Sequence, residues 1–313
     1  MGQVLVAKLL WLTYRVPDNT EIVIEGMENI PTDRGVMFAL NHTDRYNYWP
    51  FQYELLRSGH PRFTVTWVKA KYYENAVLGW FFDQCNNLPL PSRGYAILKD
   101  AAAVMGRRLE NDEYRILRDL VDYEIEPESV DATTYKSLEA LFTRARSDFA
   151  PAKEHYRAYI NRRCDRLMGL VEKRSLEALN EKDNHIIVFP QGTRSVRLLP
   201  SRTGMLEFAL RHEVPIVPVG SNGCEGVYPG ASPWASGGRI VYRIGKPLTV
   251  EGALSDCRID TPYRPFTREA SAFADAFERG AAVVTQGINA LLDEPYQLGD
   301  TNSDTRSRAD RLM

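Results

Sequence analysis

The sequence is short of cysteine, of net charge and of long apolar runs. Its four cysteines, Cys85, Cys164, Cys224 and Cys257, lie far apart with no CxxC pair, which argues against a disulfide framework or a structural zinc site. Its 39 basic and 41 acidic residues leave a net charge of −2, so no bulk positive charge is present to hold nucleic acid, and none is expected as a partner. No apolar stretch reaches the roughly 18–20 residues that a membrane-spanning helix requires. What the chain does have is 313 residues, 44% of them hydrophobic and 26% charged. That excludes a disordered chain and allows one large or two small domains around a sizeable core.

The first eighteen residues stand apart from that average. Val4, Leu5, Val6, Leu9, Leu10, Trp11, Leu12 and Tyr14 surround one interior charge, Lys8, and end at Arg15 and Pro17. A secretory signal would want a basic start and a small-residue cleavage site, and neither is clear. A myristoylation motif at Gly2 would want Ser or Thr where Val6 stands. Such a segment suits a helix lying in a membrane interface, and equally a terminal helix docked on the core.

From residue 20 strand-like and helix-like segments alternate. Strands are expected at 21–25, 35–40, 63–68, 88–90, 185–189, 214–219 and 239–244, from apolar alternation or short β-rich apolar runs. Helices are expected at 48–57, 72–82 and 203–212. This is the pattern of an α/β fold with a mostly parallel sheet flanked by helices. Residues 96–182 lack strand signals and read as a helical insertion into a single domain over 19–297. Within it the stretch 110–131 is acidic and 144–174 basic, either as helices that pair or as two solvated faces. The polar tail 298–313 reads as disordered.

Three polar clusters fall where strands end, the place where open α/β sheets bind ligands. Asn41-His42-Thr43-Asp44-Arg45-Tyr46-Asn47 follows the run ending at Leu40, and a histidine there can serve as a general base or be purely structural. Phe189-Pro190-Gln191-Gly192-Thr193-Arg194-Ser195 follows another strand. Gly192 permits a tight turn, while Thr193, Arg194 and Ser195 offer groups suited to an anionic oxygen. Pro91-Ser92-Arg93-Gly94, with Lys69 and Lys71 upstream, adds cations.

In their order these segments resemble the glycerolipid acyltransferases of the lysophosphatidic-acid acyltransferase type. Asn41-His42 with Asn47 matches the family's first motif, Leu88 to Arg93 its second, Phe189 to Ser195 its third and Val214-Pro-Ile-Val-Pro-Val219 its fourth. The resemblance implies acyl transfer from acyl-CoA or acyl carrier protein to a hydroxyl of a lysophospholipid or glycerol phosphate, without metal or cofactor. It implies His42 as the base, and Lys71, Arg93, Gln191, Gly192, Thr193 and Arg194 around the acceptor phosphate. It further implies a peripheral enzyme, expected at the cytoplasmic face of a membrane.

Two positions depart from the family pattern. Asn47 stands where the family has the aspartate that orients the histidine, and Gln191 where it has a glutamate. Asp44 and Glu54 are the nearby carboxylates that can replace the lost charge. A homologue that binds lipid or acyl carrier without turnover is the alternative these two amides suggest.

Overall fold

The computed structural model describes residues 2–16 and 18–299. Seven strands form one sheet: β1 (Thr20–Glu25), β2 (Met37–Leu40), β3 (Thr64–Lys69), β4 (Asn87–Leu90), β5 (His185–Val188), β6 (Ile216–Asn222) and β7 (Gly238–Ile244). The helices are α1 (Gly2–Thr13), α2 (Tyr48–Arg57), α3 (Ala76–Gln84), α4 (Arg93–Met105), α5 (Asn111–Val121), α6 (Ala132–Thr143), α7 (Tyr156–Leu176), α8 (Gly204–Arg211), α9 (Cys224–Val227) and α10 (Ala274–Asn289). The chain divides into two compact units, one of residues 1–67, 81–88 and 172–313, the other of 68–80 and 89–171. From residue 300 onward the polar tail lies outside the described residues.

The strand order is β1-β7-β6-β2-β5-β3-β4. β2 pairs in parallel with both β5 and β6, β3 with β5, and β1 with β7, while β6 and β7 run antiparallel. The α/β architecture expected from the alternating pattern is therefore present. β2, β5 and β6 are buried along their whole length, which is why they read as continuous apolar runs. The edge strand β1 is instead only half-buried over Ile22 to Ile24 and exposed at Glu21 and Glu25, which Arg239 and Arg243 of β7 reach.

The core of the first unit gathers Phe38, Leu40, Phe51, Leu55, Ile187, Val217, Ile240 and Tyr242. α1 joins it through Leu10, with Val6 packed alongside, and Tyr14 follows just beyond the helix end. Where the apolar spacing suggests one helix over 72–82, a short 3-10 segment, Ala70–Glu74, precedes α3, and Asn75 between them is extended. Asparagine competes with helical hydrogen bonding through its own side chain, and such residues favour breaks.

The second unit is helical, built from α4, α5, α6 and the part of α7 up to Val171. Ile97, Leu117, Leu138, Leu141, Tyr159 and Ile160 are completely buried in its core. Inside it Asp100 is 3% exposed and accepts hydrogen bonds from Arg146 at 2.5 Å and Tyr159 at 3.2 Å. The acidic and basic stretches meet at Arg157, which pairs with Glu126 at 3.1 Å and donates to the Leu120 carbonyl at 2.8 Å.

Candidate active site

Because β2 lies between β5 and β6 and runs parallel to both, the segments leaving these three strands emerge side by side at their carboxyl ends. Asn41, the first residue after β2, is buried and clamps β6. Its Nδ2 donates to the Ser221 carbonyl at 2.9 Å, and its Oδ1 accepts from the Ser221 amide at 2.7 Å. The next residue, His42, is half-buried with its ring stacked on Phe189, centroids 4.1 Å apart. Phe189 follows β5 directly, so the strand pairing itself brings the aromatic face to the imidazole.

His42 Nδ1 lies 3.3 Å from Asn47 Oδ1. The orientation of the Asn47 amide follows from its other end, where Nδ2 donates to the Asn41 carbonyl at 2.7 Å. A carbonyl oxygen can only accept, so the amino group must face Asn41 and the amide oxygen must face His42. Such an acceptor holds the proton of the neutral ring on Nδ1 and the lone pair on Nε2. Asn47 is itself completely buried, and the Tyr242 hydroxyl of β7 donates to its carbonyl. Cys224 Sγ stands 3.2 Å from the same hydroxyl.

Gln191 braces the histidine from the other side. Its Oε1 accepts from the His42 amide at 3.3 Å, and its Nε2 donates to the His42 carbonyl at 3.4 Å and to the Thr193 carbonyl at 2.9 Å. The Ser195 amide adds a bond to the His42 carbonyl at 2.8 Å. A glutamate carboxylate could accept from the amide but could not donate to two carbonyls, so the departure at this position suits its surroundings. Gly192 turns the chain with φ +71°, and a Cβ there would come within 2.9 Å of Arg202 Nε. Thr193 is half-buried and Arg194 exposed.

Asp44, one of the two carboxylates offered as a replacement, is held within its own turn. Thr43 donates to one carboxylate oxygen at 2.9 Å and the Tyr46 amide to the other at 2.7 Å. Burial pushes its carboxyl up to about 6, partly offset by those two bonds and reinforced by the nearby Glu225. The Glu54 carboxylate is bound on both oxygens by Arg57, one turn along α2.

Lys71 and Arg93 belong to the second unit. Lys71 is exposed, its ammonium 5.8 Å from the Tyr72 ring. Arg93 opens α4, whose N-terminus Ser92 caps by accepting from the Tyr95 amide at 3.1 Å. Its guanidinium lies 3.4 Å from Asp122, a carboxylate it shares with Arg118.

Four contributors had no role in the sequence reading: Asn41 as a clamp, Phe189 as a stacking partner, Tyr242 as an anchor and Arg202 as a cation beside Gly192. Asn41 and Phe189 at least sit inside the two motifs. For Arg202 and Tyr242 no sequence spacing gives a signal, because both reach the site only through tertiary contact.

Residues 149–222 match the acyltransferase family model. That segment holds β5, β6 and the whole Phe189–Ser195 turn, about a quarter of the chain, and it supports the glycerolipid acyltransferase resemblance and acyl transfer in general. Among curated proteins none matches the sequence. Among solved structures, the crystal structure of the 1-acyl-sn-glycerophosphate (LPA) acyltransferase PlsC from Thermotoga maritima is similar at 16% identity and a TM-score of 0.42, over 84% of this chain and 71% of that one.

Proposed function

We propose that this protein transfers an acyl group from a thioester, acyl-CoA or acyl carrier protein, to a hydroxyl of a lysophospholipid or glycerol phosphate at a membrane surface. The observation that carries the reading is the His42–Asn47 contact, with Asn47 Oδ1 on His42 Nδ1 at 3.3 Å. With the ring proton on Nδ1, Nε2 takes the proton of the acceptor hydroxyl as its oxygen attacks the thioester carbonyl. The tetrahedral oxyanion then collapses, the C–S bond breaks, and the imidazolium returns its proton to the leaving thiolate. A thioester is already activated, so a positioned base and a bound acceptor suffice, and no step calls for a metal.

In the first unit Thr193 and Arg194, with Arg202 beside Gly192, are the groups assigned to the acceptor phosphate. Lys71 and Arg93, in the second unit, take a phosphate-binding role on the family resemblance alone. The outward apolar residues of α1 are assigned to the lipid surface, and the cytoplasmic leaflet is the face proposed.

Purified protein given labelled acyl-CoA and lysophosphatidic acid, beside a His42→Ala variant, tests the reading. Removal of the base is expected to cost roughly 10²–10⁴-fold in turnover. Equal background transfer by both proteins, over several donors and acceptors, would leave the binding-only alternative.

A further inference from the structure

α1 is apolar on two faces. Val6, Leu10 and Tyr14 turn inward to the core. Leu5, Leu9, Leu12 and, beyond the helix end, Val16 follow one another along an outward side, 61%, 62%, 46% and 50% exposed. These positions recur at the spacing of a single helical stripe. A contiguous exposed apolar stripe of this kind marks an interaction surface. The segment 2–16 carries the two cations Lys8 and Arg15, and Asp18 lies beside the loop 229–236. Val4, Ala7, Lys8 and Trp11 also frame, with Tyr53 and Leu56 of α2, an open cavity of about 310 Å³.

The stripe does not stop at Val16. Trp234, from the loop between α9 and β7, donates its Nε1–H to the Val16 carbonyl at 2.6 Å while 43% of the residue remains exposed. An indole with its one polar group satisfied and its ring in the open suits the boundary between lipid and water. The same loop accepts a hydrogen bond at the Ala231 carbonyl from the Tyr46 hydroxyl, at 2.7 Å. Tyr46 lies in the turn that carries His42 and Asn47.

We propose that Trp234 and the loop 229–236 form, together with the outer face of α1, one surface for an anionic lipid bilayer. Through Tyr46 this surface is tied to the His42 turn. The proposal rests on the lipid-surface reading of α1 and adds to it a second, distant segment of chain. Charge decides between the possible occupants. In a two-fold pairing with a second copy the same net-positive face would stand on both sides, its Lys8 and Arg15 outnumbering Asp18, whereas anionic headgroups complement it.

Flotation with phosphatidylcholine vesicles, with and without phosphatidylglycerol, tests this, and binding is scored without reference to turnover. Wild-type protein is expected to float with the anionic vesicles. Trp234→Ala should lower its partition on the order of tenfold, and Trp234→Phe less. Lys8→Gln and Arg15→Gln should each lower it by about fivefold, and only where phosphatidylglycerol is present. Acyl transfer to a short-chain acceptor in free solution should be unaltered in Trp234→Ala. The proposal is overturned if Trp234→Ala floats as wild type does while Leu9→Asp does not. It is equally overturned if wild-type protein ignores vesicles, or forms dimers that Leu9→Asp dissociates. Binding without any turnover would instead keep this surface and remove the catalytic reading.

Discussion

Asn47 turns its amide oxygen, and not its amino group, toward His42 Nδ1, at 3.3 Å. In a serine protease triad an asparagine in place of the aspartate costs about 10⁴ in turnover, because it favours the wrong histidine tautomer. Here the Asn41 carbonyl claims the amino group, so the productive tautomer survives. What is lost is the negative charge that would stabilise the imidazolium. Asn47→Asp is therefore expected to raise kcat and to move the acid limb of the kcat/KM profile to higher pH. The cost falls on stability, about 1–3 kcal/mol in a denaturant titration, because the Asn41 carbonyl loses its donor and a charge is buried. Unchanged turnover in a folded variant would show that His42 has another source of charge stabilisation.

Gln191→Glu should act in the opposite direction. The carboxylate would face the His42 and Thr193 carbonyls without a proton to offer, loosening the backbone that holds the histidine. Turnover should fall, and stability at neutral pH should drop by about 1–3 kcal/mol. Protonation of the new carboxyl would restore a donor, so the stability gap should narrow as pH is lowered. Denaturant midpoints at neutral and mildly acidic pH would check this.

Asp44 gives a pH signature of its own. Its carboxyl is raised from 3.8 to about 6 in the fold, so the folded state holds this proton more tightly than the unfolded chain. The contribution to stability is present below about 4 and is lost as pH rises through about 6. Asp44→Asn should accordingly raise the melting temperature at pH 7–8, by an amount corresponding to about 2–3 kcal/mol, with little gain near pH 4. A gain that is equal at both pH values would contradict this account.

The helical unit depends on Asp100. Arg146 is bound to it at 2.5 Å, and Arg163 lies 3.7 Å away, in a setting where the aspartate is 3% exposed. Asp100→Ala leaves the largely buried Arg146 guanidinium without its counter-charge and should cost about 3 kcal/mol. Thermal unfolding of the variant measures it. Replacing the exposed Asp112, whose pairing with Arg115 is a surface contact, should change stability by less than about 1 kcal/mol.

How much of this was legible in the sequence differs from element to element. Ile186 to Val188 and Met37 to Leu40 read as buried strands because they are covered on both faces, while the buried His185 that opens β5 is accommodated by accepting the Val36 amide on its Nδ1 at 3.1 Å. β6 was legible at Val217 and Val219 but runs on to Asn222, past the end of its apolar run. Its last residues are polar because they serve as partners, Ser221 to Asn41 and Asn222 to the Asp293 amide. The α1 segment was legible as apolar, yet its double role was not. Only packing separates Leu10, turned to the core, from its neighbour Leu9, left in the open.

By itself the sequence determined the α/β class, the order of the motifs and the candidate base, since hydrophobic period and motif spacing are local properties of the chain. The tertiary structure decided what the two amides mean. Asn47 and Gln191 differ from carboxylates by one donor group each, and the worth of that donor depends on which carbonyls lie opposite. The Asn41 carbonyl that decides Asn47 lies in the same turn, six residues away, whereas Gln191 meets the His42 carbonyl from the end of a neighbouring strand, 149 residues off in the chain. No local pattern encodes that meeting, because strand order is set by the packing of the whole sheet.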